Sequence, residues 1–311
     1  MKKLLLPPLL LFTSFLFSQT KVDSLQLSID ESFIGKGIPY YKNFQPVEYN
    51  SDKQNWAACQ NAEGIMYFAN NSGVLEYDGT AWRKIKISDN SAVFGLDIDD
   101  LGTVYVGGQN EFGYLKASDS GPLNYVSLKP KLNDTALQFG SVRKVHATSK
   151  GTFFVTDNYI FLYATGTLST IKYSDGLNSN MSFTVDDTPY IWSYLNGLEK
   201  IQGTKRKEVI PPDVLGIRAI SGITLLNGEL LLASFNHGLF LWKEGILVPF
   251  ATQHINLFTE GIIYCTTVLS SGEIALGTYR KGLIIIDSNG RINTAFDNRV
   301  GLPESSIYNL Y

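Results

Sequence analysis

The side chains best suited to chemistry sit in short polar stretches between apolar runs. Asn70-Asn71-Ser72, Gln109-Asn110-Glu111, Asp157-Asn158-Tyr159, Tyr194-Leu195-Asn196, Asn236-His237 and Tyr279-Arg280-Lys281 bring amides, rings and cations to equivalent places along the chain. Phe94, Arg143, Phe183, Arg218 and Tyr264 each open an apolar run. Rings for sugar faces and amides for hydroxyls are the equipment of a site for an oligosaccharide or another polar small molecule. Turn chemistry competes with that reading, because Asn is an ordinary turn former and Arg or Tyr at a strand end is often merely solvated. The candidate ligand-binding set is Phe94, Gln109, Glu111, Arg143, Tyr194, Asn196, Arg218, Asn236, His237, Tyr264, Tyr279 and Arg280.

No catalytic signature accompanies these residues. The three histidines, His146, His237 and His254, are not at metal-ligand spacing, and there is no HExxH, GxSxG, P-loop or dinucleotide fingerprint. Asp97, Asp99 and Asp100 lack the ligand spacing and terminal Glu of an EF-hand, and a strand end followed by a turn accounts for them. His237 has no identifiable nucleophile or carboxylate partner. No catalytic residue, metal or cofactor is therefore assigned. The formal net charge of -3 leaves no basic footprint for nucleic acid or an anionic membrane surface. Cys59 and Cys265, the only cysteines, lie in apolar stretches and read as two buried thiols rather than a bridge.

The elements that must position the candidates come from a repeat. GIMYFANNSGVLEYDG starts at Gly64, GTVYVGGQNEFGYLKA at Gly102, GTFFVTDNYIFLYATG at Gly151, TPYIWSYLNGLEKIQG at Thr188, GELLLASFNHGLFLWKEG at Gly228 and GEIALGTYRKGLIIIDSNG at Gly272. The starts recur about every 42 residues, the length of a four-stranded propeller blade. In the sixth repeat GIIYCTTVL is the inner strand A, EIALGT strand B, GLIIID strand C and RINTAF strand D. Continuous apolar B strands fit burial on both faces, and AWRKIKI and LSTIKY alternate as outer strands should. The expected fold is all-β, a β-propeller with six recognisable blades and the start of a seventh. The polar stretches are its B-to-C loops, which share one face with the D-to-A connections and the mouth of the central channel.

Met1-Lys2-Lys3 and the apolar run Leu4 to Phe17 read as a secretory signal peptide, with cleavage after Ser18. The expected organisation is a signal peptide over 1–18, a linker over 19–32 and the propeller over 33–311, incomplete at its C-terminus, in a periplasmic or extracellular location. GIPYYKNF (Gly37 to Phe44) reads as an outer strand without a blade of its own, and GLPESSIYNLY as the loop and strand A of a seventh blade. Six formed blades and a weak or open seam are expected.

The segments GLPESSIYNLY, GTYRKGLIIID and SGVLEYDGTAWRKI (Ser72 to Ile85) resemble the two-component regulator propellers, ectodomains of bacterial sensor proteins. The opening GIPYYKNFQPVEYNSDKQNWAACQN is similar to the start of one subgroup of such sensors, and the resemblance covers nearly all of the mature chain. In that family a tyrosine-rich β-sandwich, a transmembrane helix and a cytoplasmic histidine kinase or helix-turn-helix regulator follow the propeller. The resemblance implies ligand sensing outside the cytoplasm, and kinase activity or DNA binding carries over to no residue here. It implies membrane attachment only through downstream segments and leaves room for a dimer of the full-length sensor. Two rival readings are a secreted propeller hydrolase or lyase acting on polysaccharide, and a protein-interaction platform.

Overall fold

The computed structural model describes residues 42–119, 121–173, 181–250, 262–300 and 302–311. Six four-stranded antiparallel sheets, each paired in simple meander order, form the blades of a propeller. Blade 1 is β1 (Asn55–Gln60), β2 (Met66–Asn70), β3 (Gly73–Tyr77) and β4 (Trp82–Ile85). Blade 2 is β5 (Val93–Ile98), β6 (Val104–Gly108), β7 (Glu111–Ala117) and β8 (Leu123–Ser127), and blade 3 is β9 (Lys144–Thr148), β10 (Gly151–Val155), β11 (Tyr159–Ala164) and β12 (Thr167–Lys172). Blade 4 follows with β13 (Ser182–Val185), β14 (Thr188–Ser193), β15 (Gly197–Gln202) and β16 (Lys205–Ile210). Blade 5 is β17 (Ile220–Leu226), β18 (Glu229–Ser234), β19 (Gly238–Lys243) and β20 (Ile246–Pro249), and blade 6 is β21 (Ile263–Val268), β22 (Ile274–Thr278), β23 (Leu283–Ile286) and β24 (Ile292–Phe296). The expected strand pattern is present in each repeat.

Burial explains the contrast between inner and outer strands. Every residue of β22 is buried and all but the first of β18, whereas β12 and β16 are mostly exposed or half-exposed. A strand pressed between two neighbouring blades has no solvent face, so its sequence need not alternate. The Gly-Leu step that opens several C strands has a steric cause. Gly197 adopts φ +69°, and a Cβ there would collide with the carbonyl oxygen of Ile210, where the outer strand passes over it. Gly282 meets the same obstacle in the carbonyl of Phe296.

The core lies between blades rather than within them. Cys59, Tyr67 and Val74 of blade 1 pack with Leu96, Val106 and Leu115 of blade 2. Phe112 joins Phe154 and Phe161 of blade 3, its ring stacked on Phe161 at 4.7 Å. Similar apolar clusters join blades 3 and 4, 4 and 5, and 5 and 6. The junction of blade 6 with blade 1 is built differently, through residues 302–311. Ile307 donates its amide to the carbonyl of Thr278 at 2.9 Å, Asn309 bonds the carbonyl of Trp56 at 3.0 Å, and Tyr311 the carbonyl of Gln60 at 3.2 Å.

Three expectations need correction. The last segment takes the place of a seventh inner strand but forms no strand, because its bonds to β1 run from side chains to carbonyls instead of along a backbone ladder. Of the outer strand expected over 37–44, residues 37–41 lie outside the described residues, as do the signal peptide and linker. Lys42 to Phe44 belong to no strand, and Phe44 packs its ring on Tyr77 and Trp82 of blade 1, at 5.0 and 5.1 Å. Cys59 is buried as expected, but Cys265 is only half-buried and lines the central channel. Among the described residues no helix is long and apolar enough to cross a membrane.

Candidate functional site

Irregularities at the start of the inner strands shape the mouth of the channel. The pairing of A with B slips by one residue between Asn55 and Ala57, Val93 and Gly95, Ile220 and Gly222, and Ile263 and Cys265. The residues carried on these β-bulges are Trp56, Phe94, Ser221 and Tyr264. A bulge leaves one residue outside the ladder and re-aims its side chain, which is why bulges recur beside binding sites. Ser221 and Tyr264 line the channel, and Trp56 and Phe94 immediately precede channel-lining Ala57 and Gly95.

Two aromatic-cationic groups result. On one side, Trp56 meets Phe94 edge-on at 5.6 Å, and the guanidinium of Arg143 lies over the Phe94 ring at 5.2 Å. The indole N–H of Trp56 donates to Asn71 of the first B-to-C loop at 2.8 Å, which fixes its orientation. On the other side, Tyr264 touches Phe235, Tyr279 and Tyr308 at 5.9, 6.0 and 5.0 Å, and Arg280 covers the Tyr279 ring at 4.7 Å. Arg280 adopts φ +64° and donates its amide to the Ser306 hydroxyl, tying this loop to the seam segment.

The other candidates are held elsewhere. Glu111 is buried, and one carboxylate oxygen accepts from Tyr125, Ser127 and the Phe112 amide at 2.9, 2.6 and 3.0 Å, which binds blade 2 together. Gln109 accepts from Ser141 at 2.7 Å, and Asn196 donates its backbone amide to the Ser193 hydroxyl at 3.1 Å. Arg218 donates to the carbonyl of Leu215 and covers the ring of Phe240 at 5.0 Å. His237 lies 3.4 Å from Ser234, beside exposed Asn236, and exposed Tyr194 leans edge-on against Trp192 at 4.4 Å. Sequence reasoning missed Trp56, Phe235 and Tyr308. Trp56 could have been found, since it stands in NWAACQ where Phe94 stands in AVFGLDI.

Below the mouth, the inner strands and residues 308–310 of the seam enclose a channel cavity of about 400 Å³. Six titratable side chains line it: Asp97, Lys144, His146, Tyr264, Cys265 and Tyr308. Burial pushes the Asp97 carboxyl up to about 6, even though the amides of Ala147 and Ile98 donate to its two oxygens at 2.8 and 2.9 Å. His146 is driven down to about 3 by burial, aided by the charge of Lys144, and its ring nitrogens bond Ser182 and Thr184, each at 2.8 Å. A neutral imidazole with both nitrogens engaged is a structural element of the wall. The Cys265 thiol rises to about 12 through burial, so it is no nucleophile at neutral pH. Among the described residues no group of three metal-ligating side chains gathers.

No protein-family model matches this sequence, and no curated protein does. Solved structures match by fold. The extracellular domain of the hybrid two-component system BT4673 from B. thetaiotaomicron is 18% identical, with a TM-score of 0.57 over 83% of this chain and 35% of that one. Virginiamycin B lyase from Staphylococcus aureus is 13% identical, with a TM-score of 0.56 over 78% of this chain and 84% of the lyase. The WD40 propeller domain of Doa1 is 13% identical, with a TM-score of 0.60 over 83% and 86%. This chain is a β-propeller. At these identities the likeness establishes the fold alone, which non-enzymatic sensor domains and lyases share. The chain spans about a third of the length of the sensor ectodomain it matches.

Proposed function

We propose that this propeller is the extracytoplasmic ligand-sensing part of a bacterial signal-transduction protein, and that it binds a polar ligand such as an oligosaccharide at the mouth of its channel. The observation that carries the reading is the mouth itself. Bulges re-aim Trp56, Phe94 and Tyr264, and cations lie over Phe94 and Tyr279. Aromatic faces next to hydrogen-bonding cations suit a ligand with both apolar ring faces and hydroxyls. No residue is assigned a catalytic role, because the one carboxylate of the candidate set, Glu111, is committed inside blade 2.

Calorimetric titration with a panel of neutral and acidic oligosaccharides tests the proposal. At least one member is expected to bind, with Tyr264→Ala weakening it by about tenfold, the loss of roughly 1.4 kcal/mol of contact. Loss of affinity in Arg143→Ala is expected as well. No binding across the panel, or binding indifferent to both substitutions, removes the site. Turnover of a panel member would replace sensing with a hydrolase or lyase reading.

A further inference from the structure

Among the described residues of the channel wall, Lys144 carries a charge that no hydrogen bond or ion pair holds. It lines the cavity at the start of β9, and among the described residues its ammonium makes neither a hydrogen bond nor an ion pair within 4 Å. The residue is half-buried with its ammonium open to the cavity, and burial lowers its affinity for the proton, an effect partly offset by the charge of Asp97. The carboxylate of Asp97 attracts it from beyond ion-pair distance. Each Asp97 oxygen accepts one backbone amide, from Ala147 and Ile98. The electrostatic reach of Lys144 extends to Cys265 of blade 6, on the far wall, so its charge bears on the cavity rather than on one blade. His146 is neutral and supplies no second cation.

The remaining lining is suited to an oxyanion. Thr266, Thr267 and Asn309 line the same channel; the Thr266 hydroxyl is enclosed without a hydrogen-bond partner among the described residues, Asn309 keeps one N–H beyond the one it gives the Trp56 carbonyl, and Ser221 donates its hydroxyl to the carbonyl of Ala233. Phe183, Tyr264 and Tyr308 add aromatic surface. From this geometry we infer that the channel is a binding site for a small organic carboxylate, whose carboxylate group pairs with the Lys144 ammonium and whose body lies toward the aromatic mouth. The site goes beyond the oligosaccharide reading and does not depend on it. A cavity of about 400 Å³ limits the occupant to a small molecule.

The test is thermal unfolding of the full chain in increasing acetate, against its neutral isostere acetamide, at constant ionic strength. Acetate is expected to raise the unfolding midpoint saturably and acetamide to leave it unchanged, as a ligand of the native state must. Lys144→Met should weaken the acetate response at least tenfold and Arg143→Ala should preserve it, which separates the channel from the mouth. Lys144→Gln serves as a second variant should the methionine disturb folding. Equal effects of acetate and acetamide, or a response retained in both Lys144 variants, overturn the inference. A response lost in Arg143→Ala but kept in the Lys144 variants also overturns it, placing the anion on the rim.

Discussion

Asp97 and His146 face one cavity, yet burial gives them opposite dependences on pH. The folded state holds His146 near 3, well below its ordinary value of 6.5, so the stability tied to the neutral ring is complete above pH 6.5 and declines as pH falls. Asp97 is raised to about 6 from 3.8, so its contribution is complete below about pH 4 and is lost as pH rises through 6. Two predictions follow for chemical denaturation. Going from pH 7.5 to pH 5, the wild type should lose about 2 kcal/mol relative to His146→Gln. Going from pH 4 to pH 8, it should lose about 2–3 kcal/mol relative to Asp97→Asn. Parallel curves for wild type and variant would show that the side chain is hydrated in the channel instead of buried.

Strand junctions carry the repeat, and their glycines are not equivalent. At Gly166, φ is +79° but a Cβ would meet nothing within 4 Å, so Gly166→Ala should cost about 1 kcal/mol from backbone conformation alone. Gly197→Ala adds a collision with a backbone carbonyl and should cost more than about 3 kcal/mol, by the same equilibrium unfolding measurement. Phe112→Ala, which empties the ring stack between blades 2 and 3, belongs with the severe class at about 3–5 kcal/mol. These elements were readable in advance, because turn glycines and apolar B strands repeat with the blade. The mouth was only partly readable. Phe94, Arg143, Tyr264, Tyr279 and Arg280 were found from their place before an apolar run or in a loop. Trp56 was missed because a bulge depends on pairing register, which a single strand's sequence does not display. Glu111 was misplaced for a related reason. It looked like a loop residue after Gln109-Asn110, whereas β7 already begins there and turns the carboxylate onto Tyr125 and Ser127.

As a whole, the molecule is a ring of nearest-neighbour interfaces in which one junction differs from the others. Apolar clusters join blade 1 through to blade 6, while polar bonds from Asn309 and Tyr311 span the seam to blade 1. In such a quasi-linear stack, opening begins at the weakest interface. Amide hydrogen exchange should therefore be fastest in β1 and β21 among the inner strands, and slowest in β9 and β13. Uniform protection of the inner strands would show the seam to be as strong as the rest. The same measurement, repeated with a saturating oligosaccharide from the binding panel, tests the functional reading most directly. Protection is expected at 55–57, 93–95, 263–265, 279–280 and 307–309, the backbone that carries the aromatic mouth. Protection confined to outer strands such as β4, β12 or β16, with the mouth unchanged, would contradict it.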